Sequence, residues 1–286
     1  MTFPSATLLA QSALSGVFIG SLYGLLGLGL GLTWGLLHVI NLAHFAFAFL
    51  AAYLCYQLAS VGGMDPLLTL AIIVPLFAAL GVAVQWLLAR FSVSPLNSLL
   101  ATFGLAAIVE AGIQWVWTAD FRKLESVYAG QKFRVGELFI PVPELMTLLA
   151  ALALSFGIWA AMRYTNLGRA LRALAEDAPV AEAFGINAKA HALVLAGVCG
   201  ALAGIAGVCL ALGFTLTPSQ IYAWVGVVFA AVMLGGLGSA LGPLAAGILI
   251  GVSEAVTMAF ASPSWAPIVS FTLLVVILVF RPGRAS

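Results

Sequence analysis

Long apolar runs dominate the chain from Leu8 to Arg281, and nearly all its charges fall in the gaps between them. The runs cover residues 8–34, 45–61, 67–89, 96–117, 143–162, 191–213, 222–235, 243–260 and 267–280. A helix needs about 20 apolar residues to cross a bilayer. Several runs reach that length, while others, 45–61 and 222–235 among them, are short. Lipid offers the backbone no hydrogen-bond partners, so only helices or closed barrels span it. Barrel strands would alternate apolar and polar residues over about ten positions. These runs are longer and apolar on every face, which predicts helices. The expected fold is all-α: a polytopic transmembrane helical bundle of about eight to nine spans, in two halves with interrupted helices. The first run is too long for a signal-peptide core, follows no basic segment, and leads into further spans.

Composition strengthens this reading. Apolar types make up 63% of the residues and charged types 7%, against about 25% charged in soluble domains. The net charge of +1 gives no basic field for nucleic acid. Cys55, Cys199 and Cys209 lie inside apolar runs without metal-ligand spacing, as buried small hydrophobes do. No metal site is expected.

Lysines and arginines set orientation. Arg90, the group Arg163, Arg169, Arg172 and Lys189, and the C-terminal Arg281 and Arg284 share the cytoplasmic side if the N-terminus is outside. Residues 118–142 then form an extracytoplasmic loop, in which Arg122, Lys123, Lys132 and Arg134 are nearly matched by Asp120, Glu125 and Glu137. Trp115 and Trp117 stand where an interfacial aromatic belt would be.

Two segments share a plan: a Gly-rich apolar run, a break, and a second apolar run. The first is 16–53 with its break at 37–44 (Leu-His-Val-Ile-Asn-Leu-Ala-His). The second is 225–259 with its break at 235–242 (Gly-Gly-Leu-Gly-Ser-Ala-Leu-Gly). Matching interruptions in two halves point to a midplane site in a repeat-built transporter; ordinary loops between short spans are the alternative. Gly16, Gly20 and Gly24, and again Gly27, Gly31 and Gly35, recur every fourth residue, as do Gly200 with Gly204 and Gly247 with Gly251. That spacing suits close helix packing in lipid, within the subunit or between subunits.

Residues 164–190 are the longest polar stretch with helical periodicity. Leu167, Leu171 and Leu174 share one helical face, and Arg172 and Glu176 are four apart and can pair. Pro179 ends one short helix and suits the first turn of the next, which Gly185 can cap. Such an amphipathic pair either lies passively on the membrane or docks in a partner's groove.

Five sequence blocks, in order, resemble the membrane-spanning permease subunits of ABC importers for branched-chain amino acids and related compounds. They are Val39-Ile40-Asn41-Leu42-Ala43-His44; Thr102-Phe103-Gly104; Gly168-Arg169-Ala170-Leu171-Arg172-Ala173 with Glu176-Asp177 and Gly185-Ile186-Asn187; Leu234-Gly235-Gly236-Leu237-Gly238-Ser239; and Gly242-Pro243, with Glu254 where the family often has an acid. The resemblance covers nearly the whole chain and implies a single permease domain over 1–286. It implies that residues 164–190 form a cytoplasmic coupling loop gripped by a separate ATPase, with Arg169, Arg172, Glu176, Asp177 and Gly185 as candidate coupling residues. It further implies a second permease subunit, a periplasmic substrate-binding protein and residence in the bacterial inner membrane. The chain has no GxxxxGK[ST] loop, so no cofactor is expected on it and ATP would be bound by the partner subunits.

Candidate translocation-path residues are Asn41, His44, Gly235, Gly236, Gly238 and Glu254. Asn41 and His44 can donate and accept hydrogen bonds, and the glycine backbone can line a cavity. Glu254 lies a dozen residues into its span, where a charge costs about 2.5–3.5 kcal/mol at the centre, so an interior position is expected. Glu110 lies nearer the outer end, and His38 and His191 read as boundary residues. One position departs from the family: Phe45-Ala46 stands where relatives carry Gly and an acid, which points to a more apolar substrate. No nucleophile, base and orienter stand at catalytic spacing, so no enzyme is expected. An ion-coupled secondary transporter is the alternative, and it would need midplane carboxylates. A membrane-embedded transferase is a weaker one, lacking the clustered His, Asp or Arg it would need.

Overall fold

The computed structural model describes residues 5–91, 94–261 and 265–280. Within them lie eleven helices: α1 (Ala6–Leu37), α2 (Ala43–Tyr56), α3 (Leu70–Arg90), α4 (Pro95–Trp117), α5 (Val142–Tyr164), α6 (Asn166–Glu176), α7 (Ala178–Ala183), α8 (Ala188–Gly213), α9 (Gln220–Gly235), α10 (Gly242–Phe260) and α11 (Ala266–Phe280). A π-helical turn, Gln57–Val61, extends α2. Seven helices are long and apolar enough to cross a membrane; α9 and α11, with 16 and 15 residues, are shorter. The protein is a multi-pass helical bundle. Arg281 and Arg284 lie outside the described residues.

Ser5 caps α1 by accepting from the Leu8 N–H at 3.3 Å. The helix then runs 32 residues, about 48 Å at 1.5 Å per residue. It ends at His38, whose left-handed backbone (φ 56°) carries an N–H back to Thr33. Helix α10 lies along it, held by glycine against glycine. A Cβ on Gly20 would meet the Ile248 Cα at 2.6 Å, and one on Gly24 the Leu244 Cα at 2.6 Å. Gly81 of α3 and Gly200 of α8 make a second backbone contact of this kind. The expected every-fourth-residue packing is thus intramolecular for these glycines. Burial is concentrated in α2, where eleven of fourteen residues are inside the bundle. Cys55, Cys199 and Cys209 are buried free thiols.

Contacts at the loops sort the helix ends into two groups. At one end Arg122 bridges Leu216 after α8, Trp117 donates to Gln57 at 2.9 Å, and Tyr128 donates to Asp65 at 2.9 Å. Donation to the Asp65 carboxylate raises the Tyr128 phenol above its ordinary pKa. The same end carries a short hairpin, β1 (Lys132–Val135) with β2 (Leu138–Pro141), turned at Gly136 with φ 64°. The side-chain amide of Gln11 clamps its free edge, bonding both N–H and C=O of Phe139 at 2.9 and 3.0 Å. No strand was expected there; cross-strand pairing and a glycine turn build one from a loop read only by its charges. At the other end lie Arg90 and helices α6 and α7. Residues 118–142 and 164–190 therefore sit at opposite ends of the bundle.

The polar stretch folds as the expected helix pair. Thr165 caps α6 by accepting from Gly168 N–H at 3.1 Å, and Asp177 caps α7 by accepting from Val180 N–H at 3.0 Å. Gly185 follows with φ 87°. Two details differ from expectation. The buried face of α6 is Gly168 and Leu171, while Leu167 is exposed: without a Cβ, Gly168 lets the helix close on the Met162 backbone, which rotates Leu167 outward. Arg172 and Glu176 form no ion pair among the described residues; Arg169 bonds Asn166 at 2.5 Å instead.

Candidate functional site

Both breaks lie beside the C-terminal third of α1. The His44 ring lies on Gly29. Gly29 is eight residues short of the end of α1, so the first break dips about 12 Å back into the bundle. In the second break the Gly238 N–H donates to the Gly31 carbonyl at 3.1 Å, and Gly35 lies against Gly238. Gly236 and Gly238 both have left-handed φ (90° and 74°), which glycine adopts without penalty. Gly235 and Gly242 press backbone to backbone, closing α9 onto α10. The two breaks are thus neighbours of one helix, recessed from its end rather than at its centre.

Thr102 of α4 fastens the first break. Its hydroxyl accepts from the Leu42 N–H at 3.1 Å and lies 3.2 Å from the Ile40 carbonyl and 2.8 Å from the Ser98 carbonyl. Thr102→Val keeps the shape and strands the Leu42 N–H. An unpaired buried donor costs about 1–3 kcal/mol, so the variant should melt several degrees lower in detergent. An unchanged melting temperature would show that the break does not depend on this anchor.

Two buried polar atoms of the first break, Asn41 Oδ1 and His44 Nε2, have no hydrogen-bond partner. Glu254, by contrast, is satisfied. Tyr23 of α1 donates to its Oε2 at 3.0 Å and Ser270 of α11 donates to Oε1. Trp224 packs edge-on against Tyr23 with centroids 5.5 Å apart. The carboxyl group therefore joins α10, α1 and α11, away from the two breaks. Glu110 accepts from Gln114, one turn on, at 3.1 Å. Among the described residues no group of three or more His, Cys, Asp or Glu could hold a metal.

A family model described as "Branched-chain amino acid transport system / permease component" matches residues 12–278. The chain belongs to this family. The permease protein LivH of the high-affinity branched-chain amino acid transport system of Escherichia coli (strain K12) is 29% identical, over 95% of this chain and 93% of its own. The corresponding permease protein BraD of Pseudomonas aeruginosa is 27% identical, over 95% and 94%. A probable branched-chain amino acid transport permease protein of Methanocaldococcus jannaschii is 26% identical, over 93% and 89%. No solved structure matches the chain. The protein is thus a permease of the branched-chain amino acid transport family.

Phe45, next to His44, belongs to an aromatic cluster. Phe45 is fully buried and stacks on Phe229 of α9 (centroids 6.5 Å, 21°), which also meets Trp34 of α1 at 5.4 Å. Three aromatic rings from three helices fill the space beside the first break. Composition could not reveal this cluster, because Phe229 is one phenylalanine among 18. Tyr23 and Ser270, the partners of Glu254, were missed in the same way: each looked like an isolated polar residue in an apolar run. The polar stretch 164–190 connects inward as well. Leu171 of α6 packs in one buried cluster with Leu32 and Leu36 of α1, Leu195 and Cys199 of α8, and Ala240 of the second break.

Proposed function

We propose that this permease is the membrane-spanning subunit of an ABC importer in the bacterial inner membrane, a single transport domain spanning 1–286. Its substrates are branched-chain amino acids or related hydrophobic small carboxylates or amides. The observation that carries the reading is the Leu171 cluster. Leu171 of α6 shares this buried cluster with Leu32 and Leu36 of α1, beside which both breaks lie, and with Ala240 of the second break, so a displacement of α6 would bear on both. Close-packed side chains transmit displacement instead of absorbing it. Separate subunits bind ATP and press on residues 164–190, where Arg169, Arg172, Glu176, Asp177 and Gly185 shape the docking surface. A second permease completes the path, and a periplasmic binding protein delivers substrate at the end bearing residues 118–142.

Asn41, His44, Gly235, Gly236 and Gly238 line or gate the path in this reading. The unpartnered Asn41 and His44 atoms support it, since buried polar atoms in a resting state are normally paired. Glu254 serves as a fixed tie between α10, α1 and α11. An ion-coupled carrier is less well supported: Glu254 and Glu110 already accept hydrogen bonds from protein groups.

Affinity purification of the tagged permease in mild detergent tests the proposal. ATPase subunits and a second permease should co-purify, and uptake into liposomes should require ATP. A chain that purifies alone and transports without ATP would overturn it.

A further inference from the structure

Helices α3 and α8 touch at Gly81 and Gly200, with the Gly81 side of α3 also against Ala196. Beyond that contact they splay apart toward the end that carries α6. The splay opens a cleft of about 610 Å³, lined by Gln85, Trp86 and Arg90 of α3 and by Lys189, Ala192 and Leu193 of α8, among others. Helix α3 has 21 residues, about 31 Å, which matches the hydrocarbon thickness of a bilayer. Arg90 is its last residue and Lys189 the second of α8, so both cations stand at the level of the headgroups. The Arg90 guanidinium lies over the Trp86 ring at 5.7 Å. Neither Arg90 nor Lys189 has an ion-pair partner among the described residues, and no carboxylate lines the cleft.

We infer that this cleft is a binding site for the phosphate headgroup of an anionic phospholipid. Basic pockets between membrane helices bind such headgroups. Gln85 supplies an amide donor, and Arg90 and Lys189 supply charge from the two walls. Trp86 holds the guanidinium in place by a cation–π contact and occupies the interfacial position that tryptophan favours. Below the cations the walls are apolar. Val82 and Leu87 of α3 and Val194 of α8 are exposed on the outer surface, so acyl chains can continue along both helices. The lipid would seat between two helices that pack closely from Ile73 to Val82 of α3, and α8 is the helix that follows the coupling segment.

The test is native mass spectrometry of the purified permease, stripped of lipid and titrated with phosphatidylglycerol, phosphatidylcholine or inorganic phosphate. Phosphatidylglycerol should bind with a stoichiometric tight component that phosphatidylcholine lacks. In the double variant R90Q/K189Q that component should weaken about thirtyfold, since each cation near a membrane surface contributes roughly fivefold. The charge-keeping variant R90K/K189R should retain most of it. Both variants should melt as the parent does when lipid-free, because the side chains are exposed. Equal phosphatidylglycerol binding by parent and R90Q/K189Q would overturn the site. Inorganic phosphate binding as tightly as phosphatidylglycerol would overturn the lipid assignment in favour of a free anion.

Discussion

Gly247→Val is expected to separate α1 from α10 and to lose most of the folded protein. A Cβ at this position would meet the Gly24 N at 2.7 Å and press on the Gly20 carbonyl. Both obstacles are backbone, so no side chain can rotate away. Three successive turns are built alike: Gly16 faces Val252 and Gly251, Gly20 faces Gly247 and Ile248, and Gly24 faces Leu244. Valine must therefore push the helices apart along the whole seam. Overpacking a core costs about 1–3 kcal/mol and occasionally more. Here it also forfeits close backbone packing, a main source of helix association in lipid. Gly20→Val should behave the same way. Gly112→Ala and Gly157→Ala are the controls, since a Cβ there meets nothing within 4 Å and alanine favours the helix by about 0.5–1 kcal/mol. Thermal unfolding in detergent separates the two classes. A parental melting temperature for Gly247→Val would refute the seam.

Phe184→Glu should have the opposite profile: normal insertion and stability, with transport lost. Phe184 is 85% exposed at the end of α7, and Val180 beside it is 51% exposed. A large apolar side chain in water beyond the membrane end is a candidate anchor for a partner's pocket. Buried aromatic anchors contribute 2 kcal/mol or more at interfaces, so ATPase retention should fall by about thirtyfold or more. Gly185→Val should weaken docking less directly. Its φ of 87° costs a β-branched residue about 1–2 kcal/mol and shifts the turn that presents Phe184. The readouts are ATPase co-purification and ATP-driven uptake, beside a melting temperature that stays parental in Phe184→Glu. Parental uptake in both variants would remove α7 from the docking surface.

The run lengths and their uniform apolarity were enough to predict a helical membrane bundle, because lipid leaves the backbone no other solution. Two helix boundaries in the polar stretch were also legible locally: Pro179 sits in the first turn of α7, and Gly185 takes the left-handed φ that follows it. These features depend on residues within a few positions of one another. Only the tertiary structure decided which glycine seam faced which. Gly16, Gly20 and Gly24 meet Gly247 and Gly251 across more than 220 positions of sequence, and spacing carries no information about the partner. The same holds for Glu254, whose interior place was predicted from the cost of charge in lipid but whose partners Tyr23 and Ser270 were not. On α6 the periodicity favoured the large Leu167, yet packing chose the small Gly168, since the closest approach of two helices goes to the residue with no side chain. Both breaks were visible as interruptions of apolar pattern. Their common seat on one third of α1 was not, because a pattern along the chain records where a helix ends and not how deep the chain folds back.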